Sequence, residues 1–173
     1  MSKIRFLILA IASLWCLSLH AEDGKPSFVY KAVSVLDGDT FIGTEGNVTF
    51  RVRIAAMDAP EKGQPYSKMA TSRLKQILMS GSVIIKPVGK GYDRYGRVLG
   101  AVFVGKEDVA LTMIQEGLAT YYRPFCRDYP ENKNKYNYDP TIYLKVEKQS
   151  REIGQNIWSL PDMELPCKFR HKK

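Results

Sequence analysis

Three carboxylates are placed where they could form one cation site. Asp39 lies in an Asp-Gly-Asp-Thr sequence at 37–40, and Asp58 and Glu61 are separated by Ala59 and a proline. Carboxylate oxygens are hard ligands that suit Ca²⁺ or Mg²⁺ better than softer metals. Proline makes the preceding residue extended, so the Ala59 carbonyl can point beside the Asp58 carboxylate. These residues are therefore candidate ligands of a hard divalent cation.

Two arginines could hold a phosphate beside such a cation. Arg53 and Arg51 alternate with apolar residues and so share one strand face, and Arg97 closes the segment 93–97. Guanidinium groups bind phosphate oxygens with two parallel hydrogen bonds and can stabilise a phosphodiester transition state. Arg53 precedes Asp58 by about 17 Å of extended chain at ~3.3 Å per residue, so we expect no direct contact between them.

Each motif also has a structural interpretation. Residues 37–39 are typical of a turn, residues 58–61 of a strand leaving a sheet, and Arg51 of a solvated strand face, which we accept for Arg51. The combination of three carboxylates with Arg53 and Arg97 favours chemistry at these positions.

Histidine chemistry is disfavoured by the composition. The only two histidines are His20, in the apolar N-terminal segment, and His171, in the basic tail. A histidine general base, a Ser-His or Cys-His nucleophile and a histidine-ligated zinc site are therefore disfavoured. Acid–base chemistry falls to carboxylates, tyrosine, lysine or metal-bound water.

The N-terminus is typical of an export signal. Lys3 and Arg5 precede an uncharged apolar run at 6–19, which is shorter than the ~20 residues of a membrane span. We predict a signal peptide at 1–21, with a retained membrane anchor as the alternative, and hence a periplasmic or secreted protein without stable membrane association. Removing Lys3 and Arg5 from 26 basic residues leaves 24 against 18 acidic ones, a net charge of about +6 that attracts polyanions.

Two cysteines remain after removal of the signal, Cys126 and Cys167. In an oxidising compartment they suggest one disulfide, which would pin a C-terminal tail at 160–173. Chain-entropy models give such a bridge roughly 3–4 kcal/mol of stability.

The elements that must position these residues are short strands and three helices. Alternation and turn residues predict strands at 28–35, 40–44, 48–57, 83–88 and 97–104, with a basic loop at 89–92. Helices are predicted at 67–79, from Asp108 to Gly117, and from Asp139 to Glu152, with a long loop at 120–139. This order suits an α+β, mainly β domain at 22–159, a five-stranded barrel of the OB-fold type with three helices.

The motifs resemble those of the staphylococcal nuclease (thermonuclease) family over about residues 28–159. They occur in the family's order and approximate spacing: Asp37-Gly38-Asp39-Thr40, Arg53 through Glu61, Asp93-Arg94-Tyr95-Gly96-Arg97, Gly117-Leu118-Ala119 and Asn156-Ile157-Trp158-Ser159.

The resemblance implies a Ca²⁺-dependent endonuclease that cleaves DNA and RNA and leaves 3′-phosphate ends. By motif it assigns roles as follows: Asp39 and Asp58 as Ca²⁺ ligands, Ala59 as a ligand through its carbonyl, Glu61 as the general base, and Arg53 and Arg97 as phosphate contacts. We expect a monomer that prefers single strands.

Three features depart from the family pattern. Ala59 replaces a threonine, the loop after Glu61 is short, and the tyrosines near 120–123 do not align cleanly. Tyr122, Tyr95 and Arg94 are candidate nucleotide contacts, with packing at the barrel rim as the alternative. Two other interpretations remain: a secreted, non-catalytic nucleic-acid or polyanion-binding module, and a domain in which Ca²⁺ only stabilises loops.

Overall fold

The computed structural model describes residues 28–123, 126 and 139–172. The predicted signal peptide, residues 22–27 and most of the predicted loop at 120–139 lie outside the described residues. Within the described part of the chain, no helix combines the length and apolarity that crossing a membrane requires.

The described residues form a six-stranded sheet and a separate two-stranded sheet, with five longer strands and three two-residue strands in all. In chain order they are β1 Phe28–Val35, β2 Thr40–Glu45, β3 Val48–Ile54, β4 Met57–Asp58, β5 Val83–Tyr92, β6 Val98–Val104, β7 Glu107–Asp108 and β8 Thr120–Tyr121. The helices are α1 Ser67–Met79, α2 Val109–Gln115, α3 Thr141–Glu152 and α4 Pro166–Arg170, with a 3-10 turn at Asn156–Ser159.

The five longer strands close into a mixed barrel. β1 pairs antiparallel with β2 and with β5, β2 pairs antiparallel with β3, and β5 pairs antiparallel with β6. A parallel pairing of β3 with β6, which sets Val52 opposite Val98, completes the circuit. The predicted mainly β, OB-like barrel is therefore confirmed.

The barrel interior and the helices share one apolar core. Phe41, Val52 and Ile54 are fully buried inside the barrel, and Leu74 of α1 and Met113 of α2 pack against them. The three predicted helices are present. Helices α1 and α2 follow from apolar residues spaced with the period of a helix face, all of them buried, and α3 follows from its start and stop residues. Asp108 caps α2 as predicted, since its carboxylate accepts from the Leu111 amide at 3.0 Å.

Several features differ from the sequence prediction, beginning with β3, which ends at Ile54 rather than at residue 57. β5 continues through the predicted loop to Tyr92, with a shift of register and left-handed φ angles at Gly89 and Gly91 that alternation does not reveal. The β4–β8 pair was not predicted, because two-residue strands carry no periodic signal. The short helix α4 lies in the segment predicted only as a tail.

The turn between β1 and β2 lies directly against Ala59, at the start of the loop that follows β4. A Cβ atom on Gly38 would lie 2.5 Å from the Ala59 Cβ and 2.9 Å from the Ala70 Cβ of α1. Only glycine permits so close an approach. The fold thereby brings Asp39 and Asp58 to the same end of the barrel.

Candidate active site

Asp39 and Asp58 converge on the guanidinium of Arg53. Arg53 Nη2 lies 3.1 Å from Asp39 Oδ2 and 3.1 Å from Asp58 Oδ1. The arginine is 8% exposed and Asp58 is 1% exposed, so the cluster lies largely out of water. The two carboxylate oxygens share one nitrogen and are therefore at most about 6 Å apart.

The contact between Arg53 and Asp58 corrects the expectation that five residues of strand would separate them. β3 ends at Ile54, and Ala56 adopts a left-handed φ of 64°. The chain therefore bends, and Arg53 Nη1 donates to the Met57 carbonyl at 2.9 Å. The estimate of 17 Å assumed a straight strand, which the bend at Ala56 removes.

Asp39 also holds the loop that carries Ala59. Its Oδ2 accepts from the Ala59 amide at 3.1 Å, and its Oδ1 accepts from the Thr40 hydroxyl at 3.0 Å. Ala59 is buried, with its methyl group facing Gly38. A small side chain therefore suits position 59, and the backbone of Ala59 stays beside both aspartates.

Burial and mutual repulsion alter the acidity of these groups. Burial, followed by the charge of Asp39, raises the pKa of Asp37 to about 6. Burial also raises the pKa of Asp58, although the hydrogen bonds of Arg170 and the charge of Arg53 act in the opposite direction. For Arg53, the attraction of Asp39 and Asp58 outweighs burial and raises the pKa, so the guanidinium stays charged.

Glu61 lies at the rim of this cluster on a loop fixed by Gln64. The Glu61 amide donates to Gln64 Oε1 at 2.8 Å, and the Gln64 side-chain amide donates to the Glu164 carbonyl at 3.0 Å. Gln64 is buried. It therefore joins the loop of the candidate base to the C-terminal segment.

Arg170 of α4 reaches the same cluster from the opposite end of the chain. Its Nη1 lies 2.8 Å from Asp58 Oδ1 and its Nη2 lies 2.9 Å from Asp58 Oδ2, so the two side chains form a bidentate ion pair. Nη1 also forms an ion pair with the Glu61 carboxylate. Arg170 was not among the residues singled out from the sequence.

Arg97 is oriented by Asp93 within the β5–β6 turn. Arg97 Nε lies 2.6 Å from Asp93 Oδ2, and Arg97 Nη1 lies 3.5 Å from the Thr40 hydroxyl. Burial alone would raise the pKa of Asp93, but hydrogen bonds from Arg97 and from the Tyr95 amide lower it. Asp93 is therefore held ionised as the partner of Arg97, and the Thr40 hydroxyl, which donates to Asp39 Oδ1, links Arg97 to Asp39.

The aromatic candidates fall into two groups. The exposed Tyr95 ring has guanidinium groups on it, with the Cζ of Arg94 at 4.8 Å and that of Arg97 at 5.4 Å from its centroid. Tyr122 lies near the buried cluster, with the Arg53 Cζ at 5.9 Å from its ring centroid. Tyr95 and Arg94 thus lie at the rim, and Tyr122 lies beside the carboxylates.

The predicted disulfide between Cys126 and Cys167 is confirmed, with Cα atoms 5.6 Å apart. Cys167 belongs to α4, one helical turn before Arg170. The bridge therefore fixes the short helix that carries this arginine.

The donor set at Asp39 and Asp58 fits a hard divalent cation, because it consists of oxygens held close together in a buried position. Among the described residues, however, no three acid, histidine or cysteine side chains are grouped closely enough to hold a metal ion. Guanidinium groups instead bridge the carboxylates.

Sequence reasoning missed Arg170 and Gln64. Arg170 lies in a basic tail whose charges are typical of a solvated surface, and Gln64 lies in an ordinary loop. The one available signal was the position of Cys167, since a disulfide at that cysteine brings the tail back to the body of the domain.

Comparison with known proteins identifies the family. The model of the staphylococcal nuclease homologue family matches residues 51–160. This range contains Arg53, Asp58, Glu61 and Arg97; Asp39 precedes it and Arg170 follows it.

Three relatives illustrate the similarity. A micrococcal nuclease of Shigella flexneri is 33% identical over 149 residues, covering 81% of this chain and 79% of the relative. A thermonuclease of Staphylococcus hyicus is 33% identical over 138 residues, covering 75% of each chain. An uncharacterised endonuclease of Haemophilus influenzae is 30% identical over 144 residues, covering 83% and 73%. The chain belongs to the staphylococcal nuclease family.

Proposed function

We infer that this protein is an endonuclease of the thermonuclease type, a phosphodiesterase that hydrolyses nucleic acids. The observation that carries this proposal is the buried cluster of Asp39, Arg53 and Asp58 with Glu61 at its rim. Membership of a family whose named relatives include a micrococcal nuclease and a thermonuclease supports the same chemistry.

The cation of this enzyme is proposed to be Ca²⁺, held by Asp39, Asp58 and the Ala59 carbonyl. When bound, a divalent cation neutralises the charge of the phosphate and polarises it toward attack. Oxygen ligands are common to Ca²⁺ and Mg²⁺, so the choice between them rests on the resemblance to the family.

The side chains around this site are proposed to supply the general base and to stabilise the charge of the transition state. Glu61 accepts a proton from a water molecule while the oxygen of that water attacks phosphorus. The bond from phosphorus to the 5′-oxygen then breaks. The departing 5′-oxygen takes a proton from solvent, Glu61 returns its proton to solvent, and a 3′-phosphate end remains. Arg53, from within the cluster, and Arg97, oriented by Asp93, stabilise the charge of the pentacoordinate phosphate. Phosphate contacts of this kind carry no base sequence information, so little sequence specificity is expected.

The substrate is proposed to be DNA or RNA, with single strands preferred. Tyr95, flanked by the guanidinium groups of Arg94 and Arg97, offers a stacking surface at the rim, and Tyr122 offers one beside the cluster. A stacked base contributes roughly 1–3 kcal/mol without demanding sequence. We further propose that the protein is exported to the periplasm or the medium, as the N-terminal segment and the disulfide suggest, and that it acts as a monomer.

Replacing Glu61 with glutamine tests the assignment of the base. Glu61→Gln is expected to retain single-stranded DNA binding and to lose at least about a hundredfold in kcat, the scale of a lost general base. Turnover of single- and double-stranded DNA and RNA is measured with Ca²⁺, Mg²⁺ or chelator. Glu152→Gln, at an exposed position of α3, is the matched control. Turnover of Glu61→Gln equal to that of the control would remove Glu61 from this role.

The alternative function is a secreted, non-catalytic module that binds nucleic acid or polyanions. Tight DNA binding with no cleavage at saturating Ca²⁺ would favour it. Loss of cleavage on chelation, with the fold retained by circular dichroism, favours the enzyme over both this module and a domain in which Ca²⁺ is only structural.

A further inference from the structure

The C-terminal helix α4 places a positive charge on two of the three acids that the proposed chemistry needs, Asp58 and Glu61. Arg170 contacts both carboxylate oxygens of Asp58, at 2.8 and 2.9 Å, and pairs with Glu61. Asp58 Oδ1 also lies 3.1 Å from Arg53, so two guanidinium groups share this one oxygen. A buried carboxylate that already has two cationic partners is a poor ligand for a further cation.

The position of α4 is secured at three points. The disulfide joins Cys167 to Cys126, and the buried Gln64 ties the Glu164 carbonyl to the loop of Glu61. The third point is Arg170 itself. Its side chain is 37% exposed, whereas that of Asp58 is 2% exposed, so the arginine can move into solvent but the aspartate cannot.

We propose that α4 is an internal inhibitor: Arg170 occupies Asp58 and Glu61 in the cation-free protein, exchanges with a divalent cation on binding, and is kept within reach by the Cys126–Cys167 disulfide. The proposal rests on the proposed function, because it takes Asp58 as a cation ligand and Glu61 as the base. It adds a residue outside the range matched by the family model.

The physical basis is competition for one carboxylate. A guanidinium and a divalent cation on Asp58 would repel each other in a poorly solvated site, where charges interact more strongly than in water. Binding of one therefore weakens binding of the other, and the coupling is reciprocal. The disulfide raises the effective concentration of Arg170 at the site without adding any contact.

Calorimetric titration of Ca²⁺ into the oxidised protein tests the exchange without any need for turnover. Arg170→Gln is expected to lower the Kd for Ca²⁺ about five- to tenfold, the lower part of the range typical of coupled sites, since Arg170 is partly exposed. Lys168→Gln removes one positive charge from the same helix at an exposed position and is expected to leave the Kd within about twofold. Equal Kd values for wild type, Arg170→Gln and Lys168→Gln would overturn the proposal.

The contribution of the disulfide is read from combined variants. Cys126→Ser/Cys167→Ser is expected to shift the Kd toward that of Arg170→Gln, and adding Arg170→Gln to this pair should tighten binding by less than it does in the disulfide-bonded protein. A full, additive effect of Arg170→Gln in both backgrounds would show that the bridge does not hold the inhibitor in place.

Cleavage of single-stranded DNA separates failure of this proposal from failure of the proposed function. Equal Kd values with normal cleavage would overturn the inhibitor and leave the nuclease standing. A tighter Kd in Arg170→Gln without cleavage by either protein would support the inhibitor and contradict the nuclease. An unchanged Kd with a large loss of kcat would instead make Arg170 a contact for the substrate phosphate.

Discussion

Arg53 is the residue through which the two aspartates meet. Its Nη2 contacts both carboxylates, and its Nη1 donates to the Met57 carbonyl at the bend beyond β3. The same side chain therefore shapes the loop and balances the charge of the candidate cation ligands. Arg51, two residues earlier on β3, is exposed, as its interpretation as a solvated residue predicted.

Replacing Arg53 with lysine should show whether the site needs the planar guanidinium or only a positive charge. A lysine ammonium cannot reproduce hydrogen bonds in two directions from a rigid plane. Arg53→Lys is expected to lower kcat by about a hundredfold or more, the scale of a lost transition-state donor. Initial rates on single-stranded DNA measure the effect, and a thermal melt shows whether the variant is folded.

Arg51→Lys is the matched control for this prediction, because it makes the same change on the same strand. It is expected to stay within about twofold of wild type. If Arg53→Lys and Arg51→Lys had the same kcat, the buried arginine would only balance charge.

At the scale of elements, α3 supports the site through β8. The amide of Tyr121 in β8 donates to Glu147 Oε1 of α3 at 2.9 Å, and Arg123 forms a buried ion pair with the same carboxylate. β8 pairs with β4, which sets Asp58 opposite Thr120. Glu147 thus positions Asp58 indirectly, through a strand pair that is only two residues long.

Replacing Glu147 with glutamine should therefore weaken both stability and the site. Removing one partner of a buried ion pair leaves the other charge uncompensated, and we expect a loss of about 3 kcal/mol in the free energy of unfolding. Urea unfolding measures this loss.

Glu152→Gln, which removes an exposed carboxylate 3.8 Å from Lys148 on the same helix, should cost less than about 0.5 kcal/mol. A similarly small cost for Glu147→Gln would contradict the inference that α3 supports the site through this pair.

At the scale of the molecule, one disulfide joins the C-terminal helix α4 to Cys126, which follows β8 in the chain. The disulfide links residues separated by 41 positions and brings α4 against the loop of Glu61. A barrel of this topology is closed by the parallel pair β3–β6, so the tail adds nothing to closure. Its contribution is to overall stability and, as proposed above, to the state of the cation site.

Removing the bridge should lower stability without opening the barrel. Cys126→Ser/Cys167→Ser is expected to lose about 3–4 kcal/mol in the free energy of unfolding, the chain-entropy value for a loop of this length. Urea titrations of the oxidised wild type and the double variant provide the measurement. Reduction of wild type should reproduce the loss. A loss below about 1 kcal/mol would show that the disulfide constrains the unfolded chain very little.

Much of the architecture was encoded locally. Alternating apolar residues in the strands, helical stripes in α1 and α2, the start and stop residues of α3, and the capping acid Asp108 each act within a few residues. Their elements were therefore predictable. The disulfide followed from cysteine arithmetic, because the predicted signal peptide contains Cys16 and leaves Cys126 and Cys167 to pair.

The sequence by itself also determined which residues could do chemistry at one end of the barrel. Asp39, Asp58, Glu61, Arg53 and Arg97 stand out by residue type, by order along the chain and by their resemblance to a family. Their catalytic and ligand roles remain predictions, which the substitutions above test.

The tertiary structure alone decided how these residues are paired. The left-handed bend at Ala56 brings Arg53 onto Asp58, and Gly38 lets the turn of Asp39 close against Ala59. Arg170 meets Asp58 across 112 positions, and such a contact leaves no trace in local periodicity. Charge neutralisation among groups distant in sequence depends on the whole fold. The carboxylates could therefore be identified from the sequence, but Arg170, which pairs with two of them, could not.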